Sequence, residues 1–193
     1  TTSRGNVCAH CLLEAKRKGI GAPQANTPQP HILLTMPSSG KVDSVAACAF
    51  WNASAKKACT VEHWEAVGSA GMNNHNRCWI EPLNRTIDKP THLAMLHSDV
   101  HAKPGWLDVM LAEMERVEAD LIAAIIPLKG DEGLTSVGWD TPDDDWQPRR
   151  LTIVEAFDRA PTFTDPLLIV NTGCWLLKIN PEFTAAAGHP AGD

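Results

Sequence analysis

The chain has no tyrosine beside seven tryptophans and four phenylalanines, an imbalance for which we have no physical account. It also lacks any apolar run close to the ~20 residues that cross a bilayer, so no transmembrane helix is expected. Its first residues, "TTSRGNVCAH", show no charged lead followed by an apolar core. A cytoplasmic location is the expectation that follows. Basic excess is missing too: 17 Lys and Arg against 23 Asp and Glu leave a net charge of -6. Without a global positive field the chain has no nonspecific means of recruiting nucleic acid or an anionic membrane. Six cysteines, at positions 8, 11, 48, 59, 78 and 174, are scattered through a chain of ordinary size, several of them inside apolar or helix-like segments. That pattern does not indicate a disulfide framework. No internal repeat is visible.

What is present is a globular composition, with 44% apolar and 21% charged residues in 193. One well-buried domain is the expected size class. Residues 1–30 differ from the rest: a short helix-like piece, "CLLEAKRKG", leads into "GAPQANTPQP", which reads as an arm or linker. Residues 31–193 form the domain. "HILLTM" is a β-like run, "PSSG" a loop, and Val42, Val45, Ala46, Ala49 and Phe50 have helical spacing. "ACTVEHWEAV" is a strand candidate interrupted by glutamates. "NNHNRCWIEPLNRTIDK" reads as a helix that Pro82 bends or ends. "THLAMLHS" is the next buried strand, "GWLDVMLAEMERVEA" an amphipathic helix, and "DLIAAIIPLK" a further apolar strand. "LTIVEAF" and "PLLIVNTGCWLLKI" each supply a later strand. Alternating strands and helices predict an α/β domain with a mainly parallel sheet, and the later strands predict antiparallel additions at one edge.

The motif with most chemistry is "LAMLHSDVHAKPGW". In an open α/β sheet ligands bind beyond the carboxyl ends of the strands. Asp99 and His101 follow an apolar strand two residues apart, and in an extended segment that spacing puts both on one side, where they could share a divalent ion. Spacing alone leaves this open against a solvated loop whose Asp or Ser caps the next helix. Arg77 could hold a phosphate or orient Asp99, Lys129 could reach a phosphate as a point charge, and Ser38 and Ser39 could bond a base or ribose. Each is equally a surface or turn residue. Asp143, Asp144 and Asp145 formally contain D-x-D, but no apolar strand leads into them, and a solvated loop is expected. Cys8, His10 and Cys11 have half-site zinc spacing with no second motif to complete four ligands.

In order along the chain, "ILLTMPSSG", "NNHNRCWIEPL", "LHSDVH", "PGWLDVML", "AAIIPLKG" and "VNTGCWLLK" resemble the element series of a GT-A type glycosyltransferase, close to glycosyltransferase family 2. Asp99-Val100-His101 is similar to the D-x-H form of that family's D-x-D signature. Two departures stand out: His75-Asn76-Arg77 replaces Ala-Arg-Asn in the helix motif, and Thr-Gly replaces Gly-Gly before Cys174. The resemblance implies a GT-A-like, Rossmann-type three-layer domain. It implies transfer of a sugar, of hexosyl or N-acetylhexosaminyl type, from a nucleotide diphosphate sugar such as a UDP-sugar to a hydroxyl on a glycan, lipid or protein. It further implies Mn²⁺ or Mg²⁺ held by Asp99 and His101, with His189 as a third ligand. Thr35, Pro37, Ser38, Ser39, Arg77, His97, Ser98 and Lys129 would line the nucleotide-sugar site, and Gly173 and Trp175 the acceptor side. A carboxylate base near the acceptor is expected by analogy, and only Glu182 and Asp193 follow the small-residue turn. The chain ends early for such an enzyme. A nucleotidyltransferase shares the opening strand, loop and helix, but "MPSSGK" is a faint version of its phosphate loop. A noncatalytic module binding zinc through the Cys8/Cys11 arm is the other alternative.

Overall fold

The computed structural model describes residues 29–55, 59–68, 71–85, 87–130, 133–140, 148–170 and 173–180. They form a mixed α/β arrangement. Its elements are β1 (His31–Ser38), α1 (Ser44–Trp51), β2 (Thr60–Val67), α2 (Gly71–Asn84), β3 (His92–Leu96), α3 (Trp106–Val117), β4 (Leu121–Ala123), β5 (Leu134–Trp139), β6 (Arg149–Thr152), α4 (Ile153–Phe157), β7 (Leu168–Ile169) and β8 (Cys174–Lys178). Five strands make one sheet in the order β2-β1-β3-β8-β4, and three make a second in the order β6-β5-β7.

In the larger sheet β1 runs parallel to β2 and β3, while β8 is antiparallel to both β3 and β4. The later strands therefore do not simply extend one edge, as the sequence suggested. β8 is inserted between β3 and β4, and β5, β6 and β7 leave to build their own antiparallel sheet. Cys174, Trp175 and Leu176 are buried, which is what an inner strand with a neighbour on each side demands.

β1 is mostly apolar because both its faces are covered. Ile32, Leu34 and Met36 pack with Phe50, Leu107, Leu111 and Met114 on one side, and Leu33 packs with Cys78, Leu93, Met95 and Trp175 on the other. The alternation is the period-two pleat of a strand. α1 starts where the Asp43 carboxylate accepts from Val45 N (2.8 Å) and Ala46 N (3.4 Å), an N-cap that satisfies two orphan donors. α3 starts at the Pro-Gly turn. Gly105 has φ 77°, and a Cβ there would stand 3.0 Å from the Ala55 Cβ, so the turn needs glycine twice over.

Pro82 lies inside α2, two residues before its end at Asn84, where it removes the N–H that would bond the Cys78 carbonyl. The apolar stretch after Asp120 ladders with β8 for only Leu121–Ala123, and Pro127 bridges to Thr135 instead. "LTIVEAF" is half helix: Thr152 and Glu155 form a capping box, with Glu155 N donating to Thr152 Oγ1 (3.1 Å) and Thr152 N to Glu155 Oε2 (2.8 Å). Those reciprocal bonds start α4 where the β-branched residues alone read as strand. Among the described residues no helix is long and apolar enough to cross a membrane.

Candidate functional site

From β1 the chain passes to β2 on one side and then to β3 on the other. Connections leaving neighbouring strands in opposite directions open a crevice at their carboxyl ends. At that end stand Ser38 and Ser39 after β1, the first turns of α2, and the segment His97–His101 after β3.

The β3 segment is not extended. Val100 N donates to His97 O at 3.1 Å, closing a turn, while Asp43 N donates to Ser98 O at 2.9 Å. The turn removes the alternation on which a shared side for Asp99 and His101 depended. Lys129 Nζ donates to Asp99 Oδ2 at 2.6 Å, and His101 Nε2 lies 2.8 Å from Asp43 Oδ1. Both pairs are exposed, so each contributes little to stability. They do set charge: Lys129's hydrogen bond holds the Asp99 carboxyl below the usual range against the opposing effect of burial. The Val45 backbone bond does most to lower Asp43, with His101 adding to it. A carboxylate and an imidazole are donors that suit Mn²⁺. Their chemistry fits such an ion, but their convergence does not: among the described residues no three His, Cys, Asp or Glu side chains gather around one point.

The other expected contacts separate into two groups. Ser38, Ser39, His97, Ser98 and Lys129 reach the crevice end. Ser38 is nearly buried, its Oγ accepting from Gly40 N at 3.0 Å, whereas Ser39 is exposed. Thr35 is not a ligand contact: it is fully buried and its Oγ1 donates to Ala94 O at 3.0 Å, tying β1 to β3. Pro37 is a buried ladder position opposite Ala66. Arg77 turns away from Asp99, reaching Val67 O at 3.4 Å with its guanidinium 5.6 Å from the Trp64 ring. Trp175 offers no face to an acceptor. It is buried and stacks on Trp79 at 4.7 Å with 20° between the planes. Gly173 is buried and accepts from His97 N at 2.9 Å, so it fixes the β3 turn.

Two contributors went unread in the sequence. Asn74 is buried, and its Nδ2 donates to Ser38 O at 2.7 Å and Gly68 O at 2.8 Å. It pins the start of α2 to the ends of β1 and β2. His75, next to it, brings its Nε2 to 2.8 Å from His97 Nε2. Burial, with the His75 charge second, holds His97 below the usual imidazole range. A signal existed: Asn74 and Cys78 are four apart on the buried stripe of α2, and residues 75 and 77 then flank that stripe on opposite sides. Only one of the pair can face the crevice, and it is His75. Cys8, His10, Cys11, Asp143–Asp145, Glu182, His189 and Asp193 lie outside the described residues.

No protein-family model, curated protein or solved structure matches the chain.

Proposed function

We propose that the chain is a glycosyltransferase of GT-A type, taking a nucleotide diphosphate sugar, with a UDP-sugar as the donor to test first. The observation that carries the reading is the sheet order β2-β1-β3-β8-β4 with its reversal between β1 and β3. The polar turn that holds Asp99 and His101 stands at the carboxyl end of that reversal, where such folds bind nucleotides. A cytoplasmic location and an acceptor hydroxyl on a glycan, lipid or protein belong to the same proposal.

In this reading Ser39 meets the nucleoside, Ser38 shapes the loop beneath it through Gly40 N, and Lys129 brings a positive charge toward the diphosphate from its place beside Asp99. Diphosphate departure leaves two negative charges, and a fixed cation lowers the cost of developing them. Asp99 and His101 would hold Mn²⁺ or Mg²⁺ only after leaving Lys129 and Asp43, their partners here, and such an ion would supply further positive charge. The Asn74 clamp keeps the nucleotide wall of the crevice in place, so positioning belongs to the scaffold.

Calorimetric titration of UDP with and without Mn²⁺ tests the reading. Wild-type protein should bind UDP more tightly with Mn²⁺, Asp99→Ala should lose that increment, and Lys129→Ala should weaken UDP more than uridine. Absence of UDP binding under both conditions, across the common nucleoside diphosphates, would sink it. The exposed ion pairs Asp99–Lys129 and His101–Asp43 favour one second reading, a noncatalytic relative whose metal-binding positions have been closed by internal partners. That reading expects Asp99→Ala to leave nucleotide binding unchanged.

A further inference from the structure

We propose that His75 and His97 form an imidazole site for a borderline divalent cation, of the Ni²⁺, Co²⁺ or Zn²⁺ class, at the α2–β3 wall of the crevice. The inference goes beyond the glycosyltransferase reading and does not depend on it.

The two Nε2 atoms stand 2.8 Å apart, with ring centroids 4.7 Å apart and the planes at 74°. A neutral imidazole has one N–H and one lone pair. The contact therefore needs one ring protonated at Nε2 and the other bare, so two nitrogens are held together by one shared proton. A cation replacing that proton would use both lone pairs. With metal–nitrogen bonds of about 2.0–2.1 Å, two ligands at a right angle lie ~2.9 Å apart and at the tetrahedral angle ~3.4 Å apart. The observed spacing is within ~0.1 Å of the first figure, and the rings must turn about their side-chain bonds to aim both lone pairs at one point.

The nitrogens meet because each ring is carried on an anchored element. His97 follows the buried strand β3 and its backbone N–H is bonded to Gly173 O at 2.9 Å. His75 sits one residue after Asn74, whose amide clamps α2 to Ser38 O and Gly68 O at 2.7 and 2.8 Å. Ligands on elements fixed separately lose little freedom on binding an ion.

The donor set decides the ion. Imidazole nitrogens favour Ni²⁺, Co²⁺, Cu²⁺ and Zn²⁺, whereas Mg²⁺ prefers oxygen and parts with its water reluctantly. Among the described residues no third His, Cys, Asp or Glu completes a cluster. The described residues thus supply a two-nitrogen anchor. Metal preference separates this site from the proposed Asp99–His101 pair, since only the latter has an oxygen donor with which to hold Mg²⁺.

The test uses the whole 193-residue chain carrying Cys8→Ser, His10→Ala and Cys11→Ser, so that the N-terminal arm cannot report. Calorimetric titration with Ni²⁺ should show an ion whose binding is independent of the Asp99–His101 pair, which would itself take Ni²⁺ if it takes Mn²⁺. His75→Gln and His97→Gln should each weaken that binding at least about tenfold, a change of about 1.4 kcal/mol. His101→Gln should change it less than about threefold, and excess Mg²⁺ should not displace it. Undiminished Ni²⁺ affinity in a folded His75→Gln protein would overturn the proposal, leaving the pair as a hydrogen bond between α2 and β3. Loss of affinity in His101→Gln alone would overturn it as well. If either glutamine variant fails to fold, electron paramagnetic resonance of the Cu²⁺ complex with both histidines intact decides. Coupling to two imidazole nitrogens supports the site, and coupling to one or none overturns it. UDP binding in the preceding experiment is read independently, so the two proposals can fail separately.

Discussion

The two layers covering the five-stranded sheet are built to different standards of closure. On one side α1 and α3 seal the sheet: Leu34, Ala46 and Leu107 are fully buried, and Asp108 draws the loop after α1 onto α3 by accepting from Ser54 Oγ (2.6 Å) and Ala55 N (2.7 Å). On the other side α2 lies over β1 and β2 and reaches β8 through the stack of Trp79 on Trp175, so that flank of the sheet is not closed. Trp79 is 36% exposed and Leu83 37%, and a groove of about 270 Å³ runs between these residues and Leu93, Leu177 and Ile179. The sealed layer holds the sheet rigid; the open layer is the one that carries Asn74 and His75 into the crevice. Position there depends on a few polar clamps rather than on packing density.

This difference makes an ordered set of stability predictions. Leu107→Ala should cost about 2–5 kcal/mol, because the site is fully enclosed and can collapse only in part. Trp79→Ala removes a larger side chain yet should cost less, since its ring is partly solvated and its stack on Trp175 is worth only about 0.5–1.5 kcal/mol beyond area burial. Chemical denaturation of both variants checks the order. If Trp79→Ala is the more damaging, α2 is not the weaker layer.

Acid should act on the sealed layer as well as on the crevice, where burial also holds His97 low. His63 bonds Phe50 O at 2.9 Å, and His92 shares the face of Ala94 on β3. Burial is the main cause holding both below the usual value of 6.5. In the window just below ~6.5 the unfolded chain takes up protons that the native rings refuse, so this part of the stability is complete above that pH and is lost as pH falls. Thermal melting should show a lower Tm at pH 5.5 than at pH 7.5, with a smaller drop in His63→Gln. An equal drop in the variant removes His63 from the account.

Legibility followed the same division. The run "HILLTM" was readable as a strand because it is covered on both faces, and the segment after Val42 as a helix because Ala46, Ala49 and Phe50 face the sealed layer, although Val42 precedes α1 and Val45 is exposed. β2 was harder. Its glutamates are tolerated at a sheet edge, where Glu62 reaches Arg85 Nη1 at 2.6 Å. The insertion of β8 between β3 and β4 depends on contacts far apart in sequence, which no local period encodes. The helix of "TIVEAF" was readable in principle from the Thr152–Glu155 capping box, but β-branched residues masked it. At the site, the crevice could be located from the strand ends. The directions of its side chains could not, because the bond from Val100 N to His97 O turns Asp99 and His101 toward different partners.

The smallest effect sharpens the comparison most, since it sets one tryptophan in each layer against the other. Trp106, in the sealed layer, donates its Nε1 to Ala49 O at 3.0 Å. Trp175, on the open side, is equally buried, and its Nε1 has no hydrogen-bond partner among the described residues. A buried N–H without a partner costs about 1–3 kcal/mol, whereas a satisfied one contributes about 0.5–1.5 kcal/mol net. Replacing each by phenylalanine removes similar volume, so the volume losses nearly cancel between the two variants. Trp106→Phe should therefore destabilise by at least about 1 kcal/mol more than Trp175→Phe, and the latter should lie within about 1 kcal/mol of wild type because relief of the orphaned donor offsets the lost packing. Equal losses in the two variants would mean that the Trp175 indole finds a partner in solution, and that the α2 side is better satisfied than its geometry indicates.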